Sequence, residues 1–416
     1  MADQEINRRS IAAAAGAWIG LLVGANAIIS STTSNFMKPL AASFGVDRGT
    51  ISAAISVAAL TVAFAVPICG RAMDRFGLRR VLIPGVIAFG LLMFAFSLVE
   101  NVWEFALLQV AMGIAVSMHS SVAYAKVVTQ WFDRWRALVL GIIVALGAGV
   151  GQTSMPLVAQ YLIGRFGWRG AYIGIGLIIL CIGLPLIVLL VREAPQFERT
   201  AAQRRAERHN QGAGIVGVSV RDAIRGPTFW LIFIAIMFGS MTLLGTLQHG
   251  VPMITEHGYD VHVATTALSF AFGGVVVGQL LSGAIVNHIN TPKVIVPFFA
   301  AALIGLLIIH SVHVQSGVPL LLTGAALMGL GLGGEVTQNA YLVSRYFGLR
   351  AFGAIYGLTF GASNAGIAIG TFTMGKVHDI AHNYDPIRLI FGTCLGISVL
   401  CIALLGPYVY NFQKKP

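Results

Sequence analysis

Twelve apolar runs of close to twenty residues each limit what this chain can fold into. They cover about 12–36, 50–70, 80–99, 104–127, 138–162, 169–191, 228–250, 263–286, 293–313, 318–342, 351–375 and 387–410. At ~1.5 Å rise per residue, roughly 20 apolar residues cross the hydrocarbon core of a bilayer. The runs are solidly apolar rather than alternating, which predicts helices and not a barrel. Composition closes the soluble alternatives. Of the 416 residues, 56% are hydrophobic and 10% charged, too few polar groups to coat a surface in water. The predicted fold class is an all-α membrane protein with twelve transmembrane helices.

A net charge of +11 would point to nucleic acid in a soluble chain. Here the basic residues sit between apolar runs, so they report topology and no nucleic-acid partner is expected. Twenty-one Lys and Arg fall on the side that holds both termini, and six on the other. This places both termini in the cytoplasm and the chain in the inner membrane. No cleavable leader is expected, because no small-residue cleavage site follows Arg8-Arg9.

A polar stretch with Pro195, several arginines and a Gly-rich 211–217 separates two sets of six runs. Residues 1–191 are read as an N-terminal six-helix bundle, 192–227 as a cytoplasmic linker and 228–416 as a C-terminal six-helix bundle. The two sets repeat weakly. Gly70 and Asp74 recur as Gly283 and Asn287 after 213 residues, Trp131-Phe132 as Tyr346-Phe347 after 215, and Gly147-Ala148 as Gly361-Ala362 after 214. Two pseudo-symmetric parallel halves around a mid-membrane site are a transporter architecture. Cys69, Cys181, Cys394 and Cys401 lie in apolar runs without metal or disulfide spacing, and are expected to be buried. No phosphate-cradling GxxxxGK[ST] and no nucleophile triad occurs, so an enzyme, a cofactor and a metal are not expected.

Between the second and third runs stands Gly70-x3-Asp74-Arg75-x-Gly77-x-Arg79-Arg80. It resembles the loop-2–3 signature of the major facilitator superfamily. Gly70 would let helices approach, Asp74 would sit at the positive N-terminus of the eleventh helix near Phe352, and the arginines would bind carboxylates or headgroups. Together they would form a cytoplasmic conformational clasp. Gln130-Trp131-Phe132, Gly167-Trp168-Arg169, His249-Gly-Val-Pro252 and Ser344-Arg345-Tyr346-Phe347 are similar to the oxalate/formate antiporter and monocarboxylate transporter branch. That resemblance implies a carrier of a small organic anion, most simply a monocarboxylate with protons, by alternating access; a monomer is expected. Exchange of carboxylates, export of a neutral or amphipathic compound, and a non-transporting sensor remain as alternatives. The branch's helix-8 arginine is replaced by Gln279, and the oxalate-type lysine of the eleventh helix is missing.

Ionisable groups inside a span are costly and mark candidate sites. Glu335 shares a helix face with Gln338 and Asn339, and is either a proton carrier or a structural acid. His119, Ala123 and Lys126 fall on one face of a fourth helix, with His119 as a second proton-coupling candidate. His249 lies toward the outer end of the seventh. Asn26, Ser30, Thr33 and Ser34 form a polar stripe on the first. Tyr124, Gln279, Asn339 and Asn364 complete the expected substrate contacts, and Trp18, Tyr341 and Phe360 are candidate walls. His257, His262, His310, His313, His378 and His382 are read as surface residues.

Overall fold

The computed structural model describes residues 8–132, 139, 143–192, 217–289, 291–348 and 350–410. Among them, eleven helical stretches are long and apolar enough to cross a membrane. They are Arg8–Phe44 (α1), Arg48–Met73 (α2), Leu78–Ser97 (α3), Val102–Val128 (α4), Leu146–Leu190, Pro227–Gln248 (α7), Val261–Val286 (α8), Pro292–Ser311 (α9), Val318–Phe347 (α10), Phe352–Ala381 (α11) and Asp385–Ala403 (α12). Leu146–Leu190 runs for 45 residues, about twice what a bilayer needs. Gly167 divides it: at φ +68° it holds a conformation that costs only glycine nothing, and the chain reverses there. Its two parts, 146–166 (α5) and 168–190 (α6), bring the spans to twelve.

Most buried apolar residues fall into two large cores, beside a small cluster of Val286, Val294 and Phe298. One joins Ala13 to Val191 around Phe89, Phe105 and Tyr124; the other joins Ala223 to Leu405 around Phe229, Phe299 and Phe391. Each core is one six-helix bundle. Large apolar side chains also face outward, with Phe64 77% and Trp103 82% exposed. Such a belt suits lipid and not water. Lipid is as apolar as leucine, so helices are held by close approach of small residues. At Gly329 a Cβ would stand 1.7 Å from the Ala271 carbonyl oxygen, so α8 and α10 meet backbone to backbone.

The α-helix is interrupted within α1 and α4 and at the end of α7. The α-helix of α1 stops at Leu22 and resumes through a π-turn at Asn26–Ser30. That of α4 stops at Met118 and restarts at Ser121, with Ser120 extended at ψ 165°. His249 separates α7 from the short helix Gly250–Glu256. In α1, Thr32 and Thr33 donate to the carbonyls of Ile28 and Ile29 at 2.7 and 2.6 Å, a local competition that distorts helices.

The bundles meet along α2 with α11 and α5 with α8. At the face opposite the termini, here the far face, this interface is shut. Arg48 pairs with Glu256, Lys38 donates to Thr255, and the Gly49 N–H donates to Asp379 at 3.0 Å. At the face that holds the termini, a Cβ on Gly70, Gly353 or Gly357 would meet nothing within 4 Å among the described residues, so the bundles make no such close contact at these positions.

Candidate functional site

A cavity of about 150 Å³ lies against the interruptions in α1 and α4. Its polar lining comes from Ser30, Thr32 and Thr33 of α1, Gln109, His119, Ser120, Ser121 and Tyr124 of α4, Gln248 of α7 and Asn364 of α11. Its walls include Phe36, Phe96, Phe105, Tyr172 and Phe360. Three of the rings form one stack: Phe36 and Phe96 lie 4.3 and 5.4 Å from Tyr172, centroid to centroid. Among the described residues that line it there is no Lys, Arg, Asp or Glu. The N-terminal bundle supplies most of the lining, an asymmetry the repeat did not announce.

Of the expected substrate contacts, Ser30, His119, Tyr124 and Asn364 line the cavity, as does Phe360. Asn364 donates to the Phe360 carbonyl of its own helix at 2.9 Å. The side chain of Asn26 lies outside the described residues. His119 and Lys126 do not share a continuous helix face, because α4 is broken between them. The His119 ring is 2% exposed and packs 4.7 Å from Phe89 on α3, while Lys126 is half-buried beyond the lining. Tyr124 is fully buried and fits a notch at Gly20, where a Cβ would stand 2.1 Å from its ring.

His249 is not at an exposed outer end. It is fully buried, its Nε2 lies 2.9 Å from the Ser52 hydroxyl across the interface, and its Nδ1 lies 3.1 Å from the Tyr384 hydroxyl. Ser34 likewise leaves the cavity stripe and accepts from the Val251 N–H at 2.7 Å. Both belong to the far-face seal. Asn35 strengthens it, donating to Thr265 at 3.0 Å.

Glu335, Gln338 and Asn339 are buried but turn to different neighbours. Ser240 of α7 donates to Glu335, whereas Gln338 donates to Ser282 of α8 at 2.9 Å. Neither they nor Asn339 line the cavity. Ser240 also lies 2.7 Å from Ser363 of α11, so Glu335 ties helices within the C-terminal bundle. Gln279 packs against α10, its carbonyl accepting from Thr337 at 3.5 Å, and is outside the lining too.

In the loop after α2, Gly77 holds φ +96° and starts α3, and Arg79 donates to the Val188 carbonyl of α6 at 2.8 Å. Arg75 and Arg80 are exposed. The Asp74 side chain lies outside the described residues, and Gly70 faces open space where close approach was expected.

Other expectations also change. Arg345, read as a loop charge, is 2% exposed, donates to the Tyr341 hydroxyl at 2.9 Å and lies over the Tyr341 and Tyr408 rings. His310, read as a surface residue, is 4% exposed. Cys69 and Cys401 are buried, but Cys394 is half-buried and Cys181 exposed on the outer side of α6. Sequence reading missed Arg48, Glu256 and Asp379 as partners across the interface. Their one signal was position, since each lies at or beside the far end of a span. Among the described residues no group of three His, Cys, Asp or Glu could hold a metal ion.

Comparison with known proteins agrees with this geometry. Residues 19–371 match the Major Facilitator Superfamily, and a second match covers 250–411. The chain is 24% identical over 392 residues to YcxA, an uncharacterised MFS-type transporter of Bacillus subtilis, covering 91% of each. It is 25% identical over 374 residues to a gallate transporter of Pseudomonas putida, covering 80% of this chain and 82% of that one. In three dimensions it resembles the crystal structure of a D-xylose-proton symporter, with a TM-score of 0.74 at 14% identity over 96% of this chain and 98% of the other. With a cavity between two six-helix bundles and a family match over most of its length, the chain belongs to the Major Facilitator Superfamily and is a multi-pass secondary transporter rather than an enzyme.

Proposed function

We propose that the chain carries a small organic acid, most simply a monocarboxylate, across the inner membrane by rocking the two bundles around the cavity. The carrying observation is the cavity itself. It is of molecular size, touched by both bundles, shut at the far face, and offers hydroxyl, amide and imidazole groups beside aromatic walls. The gallate transporter among its relatives and the branch-type motifs of α4, α7 and α10 support the acid class. The basic loops support a cytoplasmic location for both termini, which makes the open face cytoplasmic. In this reading residues 1–191 and 228–416 are the rocking bodies and 192–227 the linker between them. The Gly70–Arg80 loop closes on α11 when the far face opens.

Proton coupling completes the reading, with His119 at the cavity or Glu335 beside Ser240 and Ser363 as carrier. Uptake of labelled carboxylates into proteoliposomes, with and without an inward acid gradient, tests it. Accumulation of an acid that depends on the gradient is the expected result. Transport of neutral compounds alone would replace it with the second reading, a carrier of neutral or amphipathic molecules, which the lack of Lys and Arg in the lining favours. In Glu335→Gln, gradient-driven accumulation that persists unchanged assigns the proton elsewhere.

A further inference from the structure

The cavity has no cationic side chain in its described lining, yet an organic acid needs its charge answered in a medium where an unpaired ion is expensive. The break in α4 provides an answer. Its second segment, Ser121–Trp131, begins in mid-span; the Ser120 side chain does not cap it, and of its first-turn N–H groups that of Ala123 donates to the Ser120 carbonyl at 2.9 Å. The first N–H groups of a helix have no partner within it and form the positive end of its dipole. Ser120 and Ser121, where this end begins, both line the cavity.

The negative end of the preceding segment is partly answered: His119 Nδ1 lies 2.7 Å from the Ala115 carbonyl, one of the last four of that segment.

A second observation points to a ligand at the same place. His119 lines the cavity, is 2% exposed, and its Nε2 is buried with no partner among the described residues. A carbonyl oxygen only accepts, so Nδ1 carries the hydrogen. Nε2 of the neutral ring therefore accepts from a hydroxyl, and donates to a carboxylate oxygen once the ring takes a proton. One turn on, the hydroxyl of Tyr124, seated in the Gly20 notch, is also buried without a partner among the described residues. Buried polar groups left unpaired are rare and costly.

Resting on the organic-acid reading above, we infer that the substrate's carboxylate docks at the N-terminus of the second α4 segment, between the backbone N–H groups at Ser121 and Nε2 of His119. The helix end stands in for the missing arginine of α8. Half-helix N-termini facing anionic groups at the membrane midplane are a known device of transporters.

Ser121→Pro tests the inference with little disturbance. It deletes one N–H at the first helical position, where proline is tolerated, and Ser120 already has the extended backbone that a following proline requires. The probes are benzoate and gluconate, each paired with its uncharged amide. Equilibrium binding is measured on the purified full chain in nanodiscs. Wild type is expected to prefer each acid it binds over the amide. Ser121→Pro and His119→Gln are each expected to lower that preference about tenfold, the size of one hydrogen bond to a charged group. A purely structural role would weaken acid and amide alike. An unchanged preference in both variants overturns the inference and leaves the acid reading standing. If Ser121→Pro does not fold, the preference in His119→Gln decides. Wild type that binds neither acid, or the amides equally well, overturns both.

Discussion

At the far end of the bundle interface, a Cβ on Gly375 would stand 2.7 Å from the Gly49 Cα and 2.5 Å from the Ser52 hydroxyl. At the terminal end of the same helix, a Cβ on Gly353 would meet nothing within 4 Å. The seal is made of small-residue contact and a handful of polar bonds, among them Gly49 to Asp379, Ser52 to His249 and Arg48 to Glu256. Each such bond contributes only about 1 kcal/mol, because water or the other side of the membrane competes for the same groups. The difference between the two ends teaches how a transporter closes firmly and still reopens. Shape does the sealing where backbones touch, and weak polar bonds fix the register without trapping the state. Two states a few kcal/mol apart suffice for exchange between them.

The most forceful way to break this comparison is to place bulk at one end only. Gly375→Val drives a branched side chain into Gly49 and Ser52, and overpacking of this kind costs about 1–3 kcal/mol. The sealed conformation should lose about 5- to 150-fold in population, since ~1.4 kcal/mol is a factor of ten. Transport should fall with it. Spin-label distances between positions 43 and 257 should lengthen. Gly353→Val, with open space around it in this conformation, should leave these distances unchanged. Equal effects at both positions would mean that the two ends are not built differently.

A milder test removes charge rather than adding volume. Glu256 holds Arg48 of the other bundle, and His378 of its own lies 3.0 Å from it. The Arg48 and Glu256 side chains are 17% and 27% exposed, so water screens part of the attraction. Glu256→Gln should shift the equilibrium away from the sealed state by about two- to fivefold, read from the same distances. Arg48→Gln in the Glu256→Gln background should add little, because the partner is already gone. Additive losses would show that Arg48 works through Tyr384, to whose hydroxyl it donates at 3.0 Å.

Much of the fold was legible because lipid demands one thing of a span, about twenty apolar residues, and the runs supply it twelve times. The reversal at Gly167 could be read from the polar gap between two runs. The interruptions at His119 and His249 could not, since hydropathy is blind to backbone geometry within a run. The available signal was chemical. Ser120 and Ser121 are helix-starting residues in the middle of an apolar stretch, and His119 can reach back to the Ala115 carbonyl. Glu335 was legible as an intramembrane acid, but its attachment to Ser240 rather than the cavity depends on how α10 is rotated against α7. That rotation is set by packing with no counterpart in one helix's periodicity. For the same reason Ser34 and His249 looked like substrate contacts. Their helical spacing was right, and only the approach of the opposite bundle assigns them to the seal.

The smallest expected effect is the response of the far face to acid. His257 follows Glu256 on the far face, outside the spans, with its ring 5.4 Å from that of His313 and its Nδ1 buried without a partner. Burial first, and the neighbouring His313 second, hold its pKa below the ordinary histidine value, with Asp385 and Glu256 opposing. The folded ring therefore resists protonation. Above about pH 6.5, the ordinary value, folded and unfolded chains both hold it neutral and its contribution to stability is complete. As pH falls below that, the unfolded chain takes the proton first, so stability is lost toward the lower folded pKa. The ring is half-buried, so water screens part of the effect, and the change in melting temperature between pH 7 and 5 should be about 1 °C. His257→Gln should flatten the acid side of the profile by that amount, and Gly353→Val should not alter it. A profile identical in His257→Gln and the parent would show that His257 does not carry the acid sensitivity of the far face.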